Sequence, residues 1–365
     1  MAINILAMDG GGSLSLFSLL AIRRIERRCP GFLREVDVFA GTSAGGINGL
    51  LMAAAADRTL GLDRAISLWT NNPFDGSLVR DARAALGCVS FYTNQGFVDA
   101  LRPVFLDMTL GDLAARRQYV VVPSFQLMAP GPAGTVAWQP RVFDNLPGDE
   151  PAPELADKVL DIALRTSAAP VFLPIYQGYV DGGLFANNPS MCALTRVMSA
   201  ALAGDGKRDE IRLLSVGTGL ESSSLDVKSA DWGWAQWLFD PRRPLALMEA
   251  FIEAGEEEIT QQCRTLLKRR FYRLNPPMKL GSANLDFDLE DGFKRRGQPG
   301  TATIEALLTQ AAEAPTWLDE ALDWLEAVGW CRGDGQPAES APNPAGPKPA
   351  RPAGAKPARR PRRSA

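Results

Sequence analysis

The stretch that decides the fold is VDVFAGTSAGG, residues Val36–Gly46. Its first five residues, Val36–Ala40, are mostly apolar and predict a buried β-strand. Small residues follow, and Ile47–Ala56 is rich in strong helix formers, so the strand is expected to turn sharply into a helix. A strand, a tight turn and a helix in this order form the repeating unit of α/β folds.

The same succession of elements recurs along the rest of the chain. Upstream, Ile3–Met8 predicts a short buried strand, and Leu14–Arg28 predicts a helix with apolar residues on one face and arginines on the other. Downstream, the patterns predict strands at Tyr119–Phe125, Tyr176–Val180 and Ile211–Val216, and helices at Glu154–Thr166, Met191–Ala203, Leu245–Arg270, Thr301–Ala312 and Thr316–Ala327. We therefore predict an α/β fold with a mainly parallel central sheet.

Histidine is missing from all 365 residues of the chain. This absence excludes Ser-His-Asp and Cys-His catalysis within the chain, together with metal sites that need imidazole. A hydrolase with this composition must take its general base from the carboxylates. We predict neither a metal nor a cofactor.

Cysteine usage and the absence of targeting segments indicate the cellular compartment. The cysteines are scattered and share no metal-ligand spacing, which predicts unpaired thiols in a reducing compartment. They are Cys29, Cys88, Cys192, Cys263 and Cys331. No signal peptide or long apolar run is evident, so we expect a cytoplasmic protein. The sequence leaves the oligomeric state open.

The last part of the chain differs in composition from the rest. Residues 333–365 are dominated by Pro, Ala, Gly, Lys and Arg and carry a net charge of +5, against −8 for the remainder. A segment with so few apolar residues cannot offset its ordering entropy, so we predict a disordered basic tail behind a domain of residues 1–332. The tail could contact anionic lipid or nucleic acid, or aid solubility, whereas the acidic domain argues against nucleic acid as the main partner.

The turn after the strand at Val36–Ala40 fits the Gly-x-Ser-x-Gly nucleophile elbow, with Gly41, Ser43 and Gly45 at its fixed positions. A serine on such a turn presents an exposed hydroxyl, and the two glycines remove side chains that would clash there. The helix that follows directs its N-terminus at the site and favours developing negative charge. A helix-capping turn is the alternative.

A run of glycines, Gly10, Gly11 and Gly12, follows the first predicted strand directly. Their bare N–H groups could hold an oxyanion or a phosphate. The dinucleotide fingerprint fails because Ser15 stands where its third glycine would be, and no Gly-Lys-Ser/Thr follows. A tight turn without a ligand is the other interpretation.

Asp181, followed by Gly182 and Gly183, comes directly after the predicted strand Tyr176–Val180. Active sites of open α/β sheets gather outside the carboxyl ends of strands. Since Ser43 and the glycine run also follow strands, we expect nucleophile, base and oxyanion donors to converge at one edge. Without histidine, a direct hydrogen bond between Ser43 and Asp181 is the simplest way to activate the nucleophile.

In these motifs the chain resembles the patatin-like phospholipase family. Supporting stretches are Ser167–Pro170, Asn187–Pro189 and Leu214–Gly219. The resemblance runs from residue 3 to about residue 275, and a C-terminal helical part at about 245–330 overlaps its end. It implies a three-layer α/β/α sandwich and ester hydrolysis of phospholipids or other acyl lipids. It also assigns Ser43 as nucleophile, Asp181 as base, and Gly10, Gly11 and Gly12 as oxyanion donors.

One departure and several alternatives accompany this interpretation. The family continues its glycine run with an apolar residue and Arg-Gly, whereas this chain has Ser13-Leu14-Ser15. That difference affects how the loop is oriented and whether the substrate is a phospholipid or another ester. An acyltransferase with the same acyl-enzyme, a non-catalytic lipid- or nucleotide-binding module, and an effector switched on by a partner or small messenger are the alternatives.

An enzyme acting on lipid must also reach it, so we expect peripheral contact with a membrane. An aromatic cluster at Trp232, Trp234, Trp237, Leu238 and Phe239 suits a membrane interface. Packing in the core or in a lid is the alternative for these side chains.

Overall fold

Nine strands and eleven α-helices are assigned within the part of the chain that the computed structural model describes. The described residues are 2–71, 73–74, 87–131, 134–148, 153–200, 210–219, 231–239, 246–277, 285–288, 292–295 and 315–331. The strands are β1 (Ile3–Met8), β2 (Val38–Gly41), β3 (Tyr119–Pro130), β4 (Val136–Asp144), β5 (Tyr179–Asp181), β6 (Ile211–Val216), β7 (Phe271–Leu274), β8 (Leu285–Asp288) and β9 (Gly292–Arg295). The helices are α1 (Ser15–Arg28), α2 (Ala44–Ala54), α3 (Arg58–Thr70), α4 (Gln95–Phe105), α5 (Leu110–Ala115), α6 (Val159–Thr166), α7 (Gly183–Ala186), α8 (Ser190–Ser199), α9 (Trp234–Phe239), α10 (Ala246–Leu267) and α11 (Pro315–Ala327).

The central sheet has the strand order β4-β3-β2-β1-β6-β7, with β5 attached to β3. The pairs β1–β2, β1–β6, β2–β3 and β6–β7 are parallel, because a helix returns the chain between most of these strands. The strands β4 and β5 pair with β3 in the antiparallel sense. The prediction of a mainly parallel α/β sheet is therefore confirmed.

Strand β5 differs from what we expected of the strand before Asp181. It comprises only Tyr179–Asp181 and runs antiparallel to β3, not parallel to the rest of the sheet. Because β4 occupies one edge of β3, the strands β2 and β5 share the other edge, one beyond the end of the other. The chain therefore enters β5 at a point well past the carboxyl end of β2 and runs back towards that end. As the last residue of β5, Asp181 lies just beyond the carboxyl end of β2.

Helices cover both faces of the sheet, which gives the three-layer α/β/α arrangement. Along β1, Leu6 and Met8 join a core shared with α1 to α6 and α11, whereas Ile5 and Ala7 join a second core shared with α8 and α10. This alternation follows from the two-residue period of a strand. A strand buried on both faces reads as a continuous apolar run, as β1 does.

Two cysteines that we expected to be free thiols are joined in a disulfide. Cys29 follows α1 and Cys331 follows α11, and their Cα atoms lie 6.1 Å apart. Their sequence separation of 302 hid this pairing from the sequence analysis, since the disulfide depends on α11 packing against α1. The prediction of unpaired thiols is wrong for this pair, whereas Cys192 and Cys263 are free thiols.

The aromatic cluster that includes α9 lies outside the core. Trp234 and Phe239 are largely exposed, and Trp232 packs on Trp237 with ring centroids 5.3 Å apart. None of the α9 side chains is buried, so packing within a core does not explain them. Contact with a membrane stays a prediction for this cluster.

Some predicted segments are shorter than expected or cannot be compared. The predicted helix Glu154–Thr166 begins with a 3-10 turn at Pro153–Ala156, and α6 starts only at Val159. The predicted helix Thr301–Ala312 and the basic tail of residues 333–365 lie outside the described residues. Among the described helices, none combines the length and the apolar character that crossing a bilayer requires.

Candidate active site

Ser43 occupies a strained turn between β2 and α2. Its φ of 54° lies in a region that residues other than glycine rarely adopt. The turn is tight because Gly41 and Gly45 let backbones approach closely. A Cβ on Gly41 would lie 2.1 Å from the Gly45 carbonyl oxygen, and a Cβ on Gly45 would lie 2.3 Å from that of Met8. The two glycines of the motif thus hold Ser43 where β2 ends.

Thr166 holds the nucleophile turn from the side and was not singled out by the sequence analysis. The Ser43 N–H donates to Thr166 Oγ1 at 3.0 Å, and this buried hydroxyl donates to the Pro123 carbonyl at 2.6 Å. These bonds connect the turn to the last residue of α6 and to β3. Because its own N–H is engaged, Ser43 directs only its hydroxyl at a reacting group.

Asp181 ends β5, and its carboxylate lies near the Ser43 side chain. The Gly183 N–H donates to Asp181 Oδ1 at 2.7 Å. Burial raises the pKa of Asp181 to about 6, although the nearby Ser43 side chain and the Gly183 N–H oppose this increase. With this pKa, the Asp181 carboxyl group is mostly ionised at neutral pH.

The glycines after Asp181 are required by close backbone packing. A Cβ on Gly182 would lie 2.3 Å from the carbonyl oxygen of Pro123 on β3. A Cβ on Gly183 would lie 3.1 Å from the Asp181 carboxylate oxygen that its own N–H binds. Gly182 therefore fixes β5 against β3, and Gly183 leaves room for the base.

The glycine loop of Gly10, Gly11 and Gly12 lies against Ser43, but its members differ in role. A Cβ on Gly10 would lie 3.2 Å from the Ser43 Cβ. The Gly10 N–H, however, donates to the Asn187 carbonyl at 3.1 Å. Within the described ranges, the N–H groups of Gly11 and Gly12 have no protein acceptor. The Gly10 N–H thus anchors the loop, which leaves the N–H groups of Gly11 and Gly12 as candidates for the oxyanion donors we expected at all three glycines.

A buried ion-pair network supports the glycine loop from below. Asp9, which is 1% exposed, forms an ion pair with Arg273, and Arg273 also donates to Ser215 Oγ at 2.9 Å. Glu256 on α10 lies 3.3 Å from the same guanidinium and accepts from the Asn187 side-chain amide. These contacts tie the start of the loop to β7 and α10.

The charges in this network affect one another strongly. Burial, and then the nearby negative charge of Asp9, raise the pKa of Glu256 to about 7, although Arg273 opposes the increase. Arg273 is shielded from water, but its pKa is raised because Asp9 and Glu256 favour its charged form. One guanidinium thus faces two carboxylates beneath the loop, and Asp9 depends on it for charge compensation.

Replacing Arg273 by methionine is expected to destabilise the protein. The change leaves the buried Asp9 carboxylate without its counter-ion, and breaking a buried pair from one side costs about 3–5 kcal/mol. Urea unfolding followed by circular dichroism measures this loss. Arg264→Met on the exposed side of α10 is the matched control and should change the free energy of unfolding by no more than about 0.5 kcal/mol. An unchanged unfolding midpoint for Arg273→Met would show that the pair contributes nothing.

With this geometry established, comparison with known proteins gives the class of the protein. A family model described as Patatin-like phospholipase matches residues 6–194, more than half of the chain and the part that carries all three motifs. The chain therefore belongs to the patatin-like phospholipase family, as its resemblance implied. Membership indicates lipid hydrolase activity of the phospholipase kind.

Among individual relatives, the chain is similar to the putative sporulation hydrolase CotR of Bacillus subtilis. The two are 29% identical over 83% of this chain and 97% of the relative. The protein Teg of Priestia megaterium is 30% identical over 75% of this chain and 87% of its own length. A cGAMP-activated phospholipase of Pseudomonas aeruginosa is 27% identical over 74% of this chain and 78% of that protein.

Proposed function

We propose that this protein is a serine lipid acyl hydrolase of the phospholipase A type, which cleaves fatty-acyl esters with the pair Ser43 and Asp181. The observation that carries this proposal is the position of Ser43, on its strained turn, near the buried Asp181 carboxylate, whose pKa it lowers. Two N–H groups without an acceptor among the described residues, those of Gly11 and Gly12, support it, since their loop contacts Ser43 through Gly10. A module that only binds lipid or nucleotide has no need of an activated serine at this position.

In the first half of the reaction, Ser43 Oγ attacks the ester carbonyl carbon while its proton passes to Asp181. The carbonyl oxygen becomes a tetrahedral oxyanion, which accepts hydrogen bonds from Gly11 and Gly12 and faces the N-terminus of α2. When the intermediate collapses, the bond to the alcohol oxygen breaks and Asp181 returns its proton to that oxygen. The alcohol, a lysophospholipid for a phospholipid substrate, leaves an acyl group on Ser43.

In the second half, water takes the place of the alcohol. Asp181 accepts a proton from this water while its oxygen attacks the acyl carbon of the ester to Ser43. The same two N–H groups stabilise the second oxyanion. Its collapse breaks the bond to Ser43 Oγ, which regains a proton from Asp181, and the fatty acid leaves.

The reaction is tested by product analysis with the purified protein. Phosphatidylcholine vesicles should yield free fatty acid and lysophospholipid in equal amounts. An added alcohol acceptor separates a hydrolase from an acyltransferase, because a transferase would form a new ester at the expense of free fatty acid. Two relatives are named cGAMP-activated phospholipase, which favours phospholipid as the substrate. Absence of both products from vesicles and from simple acyl esters would contradict the proposal.

The pH dependence of activity should follow the ionisation of Asp181. Its pKa of about 6 means that the base is increasingly protonated as the pH falls below that value. We expect kcat/KM for a soluble p-nitrophenyl ester to be level above about pH 7 and to fall about tenfold per pH unit well below pH 6. Measurements between pH 4.5 and 8.5, with folding checked at each pH, test this. A level profile across pH 5 to 7 would show that no such carboxylate acts as the base.

A further inference from the structure

A two-stranded ribbon projects from the sheet at the edge that carries the active site. Val121 of β3 lies opposite Ala40, and Ser124 lies opposite Asp181, so later residues of β3 continue past the catalytic edge. Ala129 and Pro130 pair only with β4, within the described residues. At about 3.3 Å per residue, the six residues that follow Ser124 and end at Pro130 reach up to roughly 20 Å beyond Asp181.

The projecting part of the ribbon carries no charged side chain and exposes several large apolar side chains. No Asp, Glu, Lys or Arg occurs between Phe125 and Pro140. Met128, Val136 and Trp138 are 68%, 62% and 75% exposed. The first charged residue of β4 after the tip is Arg141, which lies opposite Ser124 at the level of Asp181. The uncharged surface therefore includes the whole part of the ribbon that extends beyond β5.

Aromatic side chains connect this ribbon to the catalytic loop. The rings of Trp138 and Phe125 lie 6.4 Å apart, and those of Phe125 and Phe185 lie 6.3 Å apart. Phe185 belongs to α7, the helix that begins two residues after Asp181. Leu184 on the same helix is 44% exposed, so the apolar surface extends from the ribbon towards the site.

We propose that the ribbon formed by residues 125–131 and 134–140 inserts into the surface of a lipid bilayer and brings the active site to it. Its lack of charge matches the acyl region of a bilayer, where an inserted Asp, Lys or Arg would be costly. Backbone pairing between β3 and β4 satisfies much of the ribbon's polar backbone, and Trp138 is a residue type enriched at membrane interfaces. The inference rests on the proposed lipid hydrolysis, because a lipid substrate would have to reach the active site at this edge of the sheet.

Binding to vesicles tests the ribbon separately from catalysis. The full-length Ser43→Ala protein, which needs no activity for this assay, is mixed with phosphatidylcholine vesicles and the bound fraction is measured by flotation. We expect Trp138→Asp to lower the partition coefficient at least about tenfold. The double variant Met128→Asp/Val136→Asp should do the same, which guards against a misfolded single variant.

Leu60→Asp is the matched control. Leu60 is 47% exposed on α3, close to Arg58, which binds Gln118 at the opposite end of β3. This control should bind vesicles like its parent. In the active protein, Trp138→Asp should slow hydrolysis of vesicles while leaving hydrolysis of a soluble short-chain ester unchanged.

The outcomes separate the two proposals. If the Ser43→Ala protein binds vesicles through the ribbon but the wild-type protein hydrolyses no ester, the inference about the ribbon holds and the proposed function fails. If Trp138→Asp binds vesicles as well as its parent, the inference is overturned. It is also overturned if the wild-type protein ignores vesicles and forms a dimer that Trp138→Asp dissociates, because the ribbon would then serve a second copy of the chain.

Discussion

Replacing Ser43 by alanine is expected to abolish ester hydrolysis, with kcat/KM lower by roughly 10⁴- to 10⁶-fold, the range typical of lost serine nucleophiles. The variant loses the atom that forms the acyl-enzyme, but keeps the backbone donors of Gly11 and Gly12. The fold should remain, because the half-buried Ser43 side chain belongs to neither hydrophobic core. Initial rates on a p-nitrophenyl acyl ester, together with a thermal melt, measure both properties.

Ser67→Ala is the control for this variant. Ser67 is an exposed hydroxyl on α3, and its replacement should leave kcat/KM within about twofold of the wild-type value. If Ser43→Ala retains more than a tenth of the wild-type activity, another nucleophile performs the reaction.

Replacing Asp181 by asparagine is expected to lower activity about as much as Ser43→Ala, by at least roughly 10⁴-fold. Asparagine preserves the shape and can accept from the Gly183 N–H, but it cannot take the serine proton. Because Ser43 and Asp181 act in one proton transfer, the double variant should be no slower than the worse single variant. Asp63→Asn on the exposed side of α3 is the matched control.

Asp181→Asn should also be more stable than the wild-type protein, but only at higher pH. Burial raises the pKa of Asp181 from 3.8 to about 6 in the folded protein, so the folded state holds the proton more tightly than the unfolded state. Wild-type stability therefore falls as the pH rises from about 4 to about 6, by up to about 3 kcal/mol. Asp181→Asn removes this penalty, so its advantage in unfolding free energy should be present at pH 8 and absent at pH 4. An advantage of equal size at both values would contradict the raised pKa.

Much of the site follows from local sequence patterns. The turn at Ser43 is fixed by glycines at set spacing between an apolar strand and a helix, and all of these lie within a few residues of one another. The complete absence of histidine points to a carboxylate base, and Asp181 stands beside two glycines after an apolar stretch. Strand β1 is recognisable because both of its faces are buried.

The features of the fold and the site that could not be predicted from the sequence depend on contacts between residues far apart in the chain. Arg273 stands in a stretch rich in arginine that resembles a solvated surface, yet it pairs with Asp9, 264 residues away. The antiparallel direction of β5 was missed because a three-residue strand carries too little pattern to show its partner. Gly10 could not be separated from Gly11 and Gly12, since only the position of the Asn187 carbonyl reveals that its N–H is engaged.

The most direct measurement of the central claim is labelling of the intact protein with a fluorophosphonate probe, followed by mass spectrometry of its peptides. The probe reacts with a serine hydroxyl only where a base removes its proton and donors stabilise the developing oxyanion. We predict one label, on Ser43, in the wild-type protein and none in Ser43→Ala, with labelling slowed at least about a hundredfold in Asp181→Asn. Labelling of Asp181→Asn at the wild-type rate, or a label on any other serine instead, would contradict the pairing of Ser43 with Asp181.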